Sequence, residues 1–358
     1  MLPRLRLLAL SFFLPFMSLF ADPALALLPA SDARFCYEGR IDASRPDEPV
    51  LIWSGTRVRL DFAGDQLVLI FGGAANQSVF NVTVDGTTEI ADIRSGPGAR
   101  YVWPHALTSG RHRLELFKRS EAGKGHVIFR GVELAPGAEA WAAPQPRYRL
   151  KLAFFGDSIT AGACNEDGVV DQWDDFRTHN YALSWAHLTA RALEADDRAM
   201  AYSGMGVITG WEVVKAGEIW DKVYPRPDSM RYEMSAWQPE VAFVNLGEND
   251  DSFTTANLKP FPPEFTAGYV ALVRAIRAAY PRAQIVLLRG GMMGGARSEC
   301  YRLDWEAAVK ELEASDACIA HYVFEHVSTL HPRVSDDRAM AAELISWLKQ
   351  QAFMAPYL

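Results

Sequence analysis

The first residue in this chain whose position suggests chemistry is a serine placed directly after a buried strand. Leu150 to Phe155 (LKLAFF) reads as that strand and runs into Gly156-Asp157-Ser158-Ile159-Thr160. A serine on such a tight turn is exposed to attack a carbonyl and lends its own backbone N–H to the resulting oxyanion. Three further residues supply what such a nucleophile needs. Gly204, in Tyr202-Ser203-Gly204-Met205-Gly206, lets backbone approach a ligand closely and present an unhindered N–H. Asn249, in Leu246-Gly247-Glu248-Asn249-Asp250, offers a side-chain N–H donor that a carboxylate could not supply. His331, in Leu330-His331-Pro332, supplies an imidazole, the side-chain type suited to taking a serine proton at neutral pH, and Pro332 fixes its turn. Each block has a plain structural reading: a helix N-cap, a loop glycine, Asn-Asp turn chemistry, a structural His-Pro. Their order, each at a predicted strand-to-loop junction of one α/β domain, is more specific than any one block and points to acyl transfer.

Ser158, Gly204, Asn249 and His331 in that order resemble the SGNH hydrolase superfamily, the GDSL-like esterases, over roughly residues 150–358. An all-β region ahead of them carries Trp53-Ser54-Gly55 and Asn81-Val82-Thr83-Val84-Asp85-Gly86. With Trp237-Gln238-Pro239-Glu240 before the Asn249 strand, it is similar to carbohydrate esterase family 2. That resemblance implies a jelly-roll domain packed on an SGNH domain with a flavodoxin-like parallel sheet. It implies deacetylation of plant polysaccharides such as acetylxylan, or of sugar 6-hydroxyl acetates. The acyl group would pass to Ser158 with His331 as base, and the oxyanion would be held by the Ser158 and Gly204 N–H groups and the Asn249 amide. It implies no metal or organic cofactor.

The chain departs from the family pattern at three places. Ser328 stands three residues before His331, where an aspartate is usual; Glu325, a distant acid, or a backbone carbonyl would then orient the imidazole. Leu330 stands where tryptophan is common beside the histidine. Glu248 puts a carboxylate beside the oxyanion donor and is expected to point away. Rival readings are an esterase or acetyltransferase acting on an envelope glycan, exopolysaccharide, lipid or thioester, and a catalytically silent carbohydrate-binding protein. Asp171, Asp174 and Asp175 around Trp173 read as a solvated acidic loop or a cation- or sugar-binding one.

The elements that must position these residues fall into two grammars. From about Phe35 to Leu134, short runs alternate apolar and polar residues, as in Arg57-Val58-Arg59-Leu60-Asp61-Phe62 and His112 to Phe117, with turns such as Asp85-Gly86 between them. Several short half-buried strands predict a β-sandwich. Residues 135–147 read as a linker or surface strap. Beyond Leu150, strands (Val241–Leu246, Ala283–Leu288) alternate with helical stripes (Tyr181–Leu193, Tyr269–Ile276, Arg338–Gln350), which predicts a parallel sheet covered on both faces. The domains expected are 27–146 and 147–358.

Residues 1–26, with Arg4 and Arg6 ahead of the apolar run Leu7–Phe20 and small residues at Ala24-Leu25-Ala26, read as a cleaved signal for secretion or the periplasm. Their removal takes away Arg4, Arg6 and Asp22 and moves the net charge from −8 to −9. With no dense basic run, nucleic acid and, after cleavage, membrane are excluded as partners, and a neutral glycan fits better. Of the cysteines Cys36, Cys164, Cys300 and Cys318, the pair Cys300–Cys318 is the first disulfide to test. No zinc-ligand spacing is present.

Overall fold

Five short segments in the second half of the chain become parallel strands: Lys151–Gly156, Asp196–Ala201, Val241–Asn245, Gln284–Arg289 and Ile319–Val323. The structure, a computed structural model, describes residues 24–358; the expected signal segment lies outside them except for its last three residues. In space the strands lie second-first-third-fourth-fifth. This flavodoxin-like order reverses direction beside the first strand, and such sheets carry their sites at the carboxyl ends near that point. Successive side chains point to opposite faces. Phe155, Val244 and Leu287 therefore pack under the helices Phe265–Ala279 and Glu299–Ser315, and Phe154, Phe243 and Leu288 under Trp185–Ala192 and Val334–Leu348. Asp196–Ala201 (DDRAMA) and Ile319–Val323 (IAHYV) were not expected as strands, because their polar residues break the apolar run.

The first half forms an antiparallel sheet of eleven strands curled over its own core of Leu60, Phe62, Phe71, Phe80, Val82 and Phe129. One strand makes the curl. Leu67–Val84 is continuous for 18 residues, longer than the short strands expected of this region. Its first half pairs with Gly125–Leu134, its second with Thr87–Gly96 and Arg111–Lys118, and a register shift separates the two. The expected strap is real: Ala140–Trp141 adds to Arg57–Ala63 as an edge strand.

The alternation in Arg57–Ala63 reads as one wet face, but both faces are covered. Arg57 is 6% exposed because its guanidinium donates to Asp197 Oδ1 at 2.8 Å in the parallel-sheet domain. Tyr181 donates to the other Asp197 oxygen at 2.6 Å. Trp53 is buried in the core shared with Phe155 and Val223 and donates to the Val223 carbonyl at 2.7 Å. All four cysteines are free thiols. Cys300 and Cys318 flank the 17-residue helix Glu299–Ser315 at opposite ends; at about 1.5 Å per residue this holds them far beyond disulfide reach. No helix among the described residues is long and apolar enough to cross a membrane.

Candidate active site

Ser158 opens a four-residue helical turn directly after the first parallel strand, and Asp157 caps that turn by accepting the Ile159 N–H at 3.0 Å. Gly156 is required by space: a Cβ there would lie 2.1 Å from Thr160 Oγ1. The other motif residues follow the remaining strands at the same edge of the sheet. Ser203 and Gly204 come after the second, Glu248 and Asn249 after the third and His331 after the fifth, joined by Met292, outside the motifs, after the fourth. All of these residues line one cleft of about 380 Å³. The sequence motifs, up to 173 residues apart, therefore converge on one place.

Ser158 Oγ lies 2.8 Å from His331 Nε2. On the other side of the ring, Nδ1 lies 2.6 Å from Asp171 Oδ2. Burial raises the Asp171 carboxyl, but hydrogen bonds from His331 and Arg333 outweigh it and hold it at about 2. An ionised carboxylate only accepts, so Nδ1 carries the ring hydrogen and Nε2 is left to accept from Ser158. The acid beside the histidine is thus neither Ser328 nor Glu325. Ser328 donates to the Gly291 and Leu330 carbonyls, and Glu325 is exposed. Asp171 comes from the loop that the sequence suggested as solvated or sugar-binding. Arg333 locks it in place, donating to Asp171 Oδ1 at 2.8 Å, to the Cys164 carbonyl at 3.1 Å and to the Gly168 carbonyl at 2.9 Å. No spacing rule ties residue 171 to residue 331, so sequence reading had no signal for the pair.

Gly204 adopts φ +81°, a conformation that favours glycine, and a Cβ there would meet Glu212 Cγ at 2.9 Å. Its loop is held from below. Asp250 accepts the N–H groups of Val207, Ile208 and Thr209 at 2.7–2.9 Å. The Asn249 amide donates to Asp157 Oδ2 and to the Met205 carbonyl, both at 3.1 Å, so its hydrogens are engaged with the protein rather than free for a ligand.

Glu248 lines the cleft, but its carboxyl turns to the Gly295 N–H at 2.9 Å. Burial first, then the nearby Asp157 and Asp251, push its pKa up to about 8 despite the Gly295 bond. Burial likewise takes Asp157 to about 7. The raised pKa favours the uncharged carboxyl, so burial as well as orientation reduces the negative charge that Glu248 was expected to set beside Asn249. Because the folded-state pKa lies above the ordinary value of 4.5, the native state binds the extra proton. The stability this group contributes is full below about pH 4.5 and is lost as pH rises toward 8. Glu248→Gln should match wild type in thermal melting near pH 4.5 and become progressively more stable than it up to pH 8–9. Parallel melting curves across that range would show that Glu248 titrates normally.

Two indoles flank the cleft. Trp173 meets the His331 ring edge-on, with centroids 5.2 Å apart. Trp211, which sequence reading passed over, is 56% exposed and tethered by its Nε1 to Ser252 Oγ at 3.0 Å. Cys164 Sγ, Asp171 and His331 place ligand atoms within 4.8 Å of one another. The Arg333 guanidinium already neutralises Asp171 there, and burial keeps the Cys164 thiol protonated by raising its pKa. The grouping therefore suits a carboxylate–imidazole hydrogen bond better than a resident cation.

Residues 37–144 match the Carbohydrate esterase 2 N-terminal family and residues 154–350 the GDSL-like Lipase/Acylhydrolase family. The chain is 31% identical over 336 residues to the cellulase/esterase CelE of Acetivibrio thermocellus, covering 88% of this chain but only 39% of that protein. It is 26% identical to an acetylxylan esterase / glucomannan deacetylase of Cellvibrio japonicus, across 86% of this chain and 88% of the relative. A family two carbohydrate esterase from Clostridium thermocellum, solved in complex with cellohexaose, superposes with a TM-score of 0.79 at 28% identity, covering 90% of this chain and all of that one. The chain therefore belongs to the GDSL-like lipase/acylhydrolase family of hydrolases, in the two-domain arrangement of the family 2 carbohydrate esterases.

Proposed function

We propose that this protein is a serine esterase that removes O-acetyl groups from a carbohydrate through an acyl-Ser158 intermediate. The observation that carries the reading is the unbroken line Ser158 Oγ–His331–Asp171, at 2.8 and 2.6 Å, whose first two members line the cleft. His331 Nε2 takes the hydroxyl proton as Ser158 Oγ attacks the acetyl carbonyl, and returns it to the departing sugar oxygen. Asp171, kept ionised by Arg333, holds the imidazole in the productive tautomer and stabilises the imidazolium. The tetrahedral oxyanion is met by the N–H groups of Ser158 and Gly204. Asn249 joins them by sharing one amide hydrogen now directed at Asp157 or Met205. Water then attacks the acyl-enzyme by the same path in reverse, releasing acetate.

The substrate class rests on the relatives' names, acetylxylan esterase and glucomannan deacetylase, and on Trp173 and Trp211 in the cleft, where flat rings can stack on pyranose faces. The reading of residues 1–26 as a signal sequence would bring the enzyme to such polymers outside the cytoplasm. The test is acetate release from acetylated xylan, acetylated glucomannan and 4-nitrophenyl acetate, by wild type and by Trp211→Ala. Wild type should cleave all three. The variant should raise KM on the polymers about tenfold, the scale of a stacking contact of about 1.4 kcal/mol, with little change on the small ester. Cleavage of the small ester alone by wild type would reject these glycans as substrates.

A further inference from the structure

The β-sandwich sends one turn into the oxyanion loop of the other domain. It lies between the strands Arg111–Lys118 and Gly125–Leu134 and is held rigid at its base by Lys118, whose buried ammonium donates to the Ser120 carbonyl at 2.8 Å and to Ser120 Oγ at 3.2 Å. From it Glu121, 1% exposed, reaches across the domain boundary and accepts the backbone N–H of Ser203 at 2.6 Å. Gly123 lies flat on Tyr202, where a Cβ would come within 2.7 Å of the ring. Lys124 then enters the cleft itself, with its ammonium 3.9 Å from Glu121 Oε1.

We infer that Glu121 is a positioning residue for ester hydrolysis. By holding the Ser203 N–H it fixes the peptide next to Gly204, so that the Gly204 N–H is presented to the oxyanion. This rests on the reading of Gly204 as an oxyanion donor. The physical reason is that Gly204, at φ +81°, has the backbone freedom to swing its N–H away. A buried hydrogen bond to the peptide one residue earlier removes that freedom before substrate arrives. On this account the β-sandwich is part of the catalytic apparatus and not only a neighbour of it.

The test compares Glu121→Gln, Glu121→Asp and Glu121→Ala on 4-nitrophenyl acetate, with the active fraction counted from the acyl-enzyme burst and thermal melting measured alongside. Gln keeps an acceptor at the same reach and should retain kcat within about threefold. Asp withdraws the acceptor by one methylene, and Ala removes it. Both should lose kcat per active site, by about 10²-fold for Ala, the scale of a misplaced oxyanion donor, with KM nearly unchanged. Wild-type kcat per active site in the Asp and Ala variants would overturn the inference even if melting falls. Equal losses in Gln and Ala would overturn it too, because charge rather than the held N–H would then matter. Ser158→Ala serves as the separate arm: full activity in that variant would remove the underlying reading, whereas an inert Ser158→Ala beside active Glu121 variants would remove only this inference.

Discussion

Ser158→Ala is expected to lower kcat for ester cleavage by about 10⁴-fold or more, the scale seen when a triad nucleophile is deleted. Ser158 Oγ is the nucleophile-type atom within hydrogen-bond reach of His331 Nε2. The thiol six residues on, Cys164, faces the Gln172 carbonyl and has its pKa raised by burial, then by Asp171 and Asp167, so it cannot stand in as a thiolate. The fold should survive, since Asp157 rather than Ser158 caps the following turn. The measurement is single-turnover acetate release with melting as control. Residual activity within tenfold of wild type would show that another group attacks the carbonyl.

Asp171→Asn is expected to cost about 10²- to 10⁴-fold in kcat, with KM changed far less. The asparagine presents an amide where Nδ1 needs an acceptor, so the imidazole can turn to the tautomer whose Nε2 carries the hydrogen and cannot accept from Ser158. Arg333, which donates to Asp171, loses its anion as well, and the loop it ties between Cys164 and Asp171 loosens. Ser328→Ala is the control. Ser328 occupies the position where an acid was sought in the sequence, yet its hydroxyl serves only the Gly291 and Leu330 carbonyls, so its loss should leave kcat within a few fold. If Ser328→Ala were the crippling variant and Asp171→Asn the mild one, the assignment of the orienting acid would be reversed.

Much of the domain architecture was legible because it is written in short-range pattern. Buried parallel strands such as Leu152–Phe155 and Val241–Val244 are continuous apolar runs, and a residue just past such a run reaches the carboxyl edge of the sheet whatever the rest of the chain does. Where the pattern is interrupted by groups whose partners are remote, sequence reading failed. Asp196–Ala201 begins with two aspartates, and the second, Asp197, is tolerated in a buried strand because Arg57, from another domain, neutralises it. Arg57 itself belongs to an alternation that reads as a wet face and is dry for the same reason.

The chain alone thus determined the two-domain order, the parallel sheet, and Ser158, Gly204, Asn249 and His331 as the residues at its edge. These depend on local propensity and on position relative to a strand end. Only the tertiary structure decided that Asp171 is bonded to His331, that burial pushes the Glu248 pKa up in the cleft, that Trp211 forms one of its walls, and that Glu121 enters from the sandwich. A hydrogen bond requires proximity in space and places no constraint on separation along the chain. Burial, which sets whether a carboxyl is charged, is likewise a property of the assembled molecule.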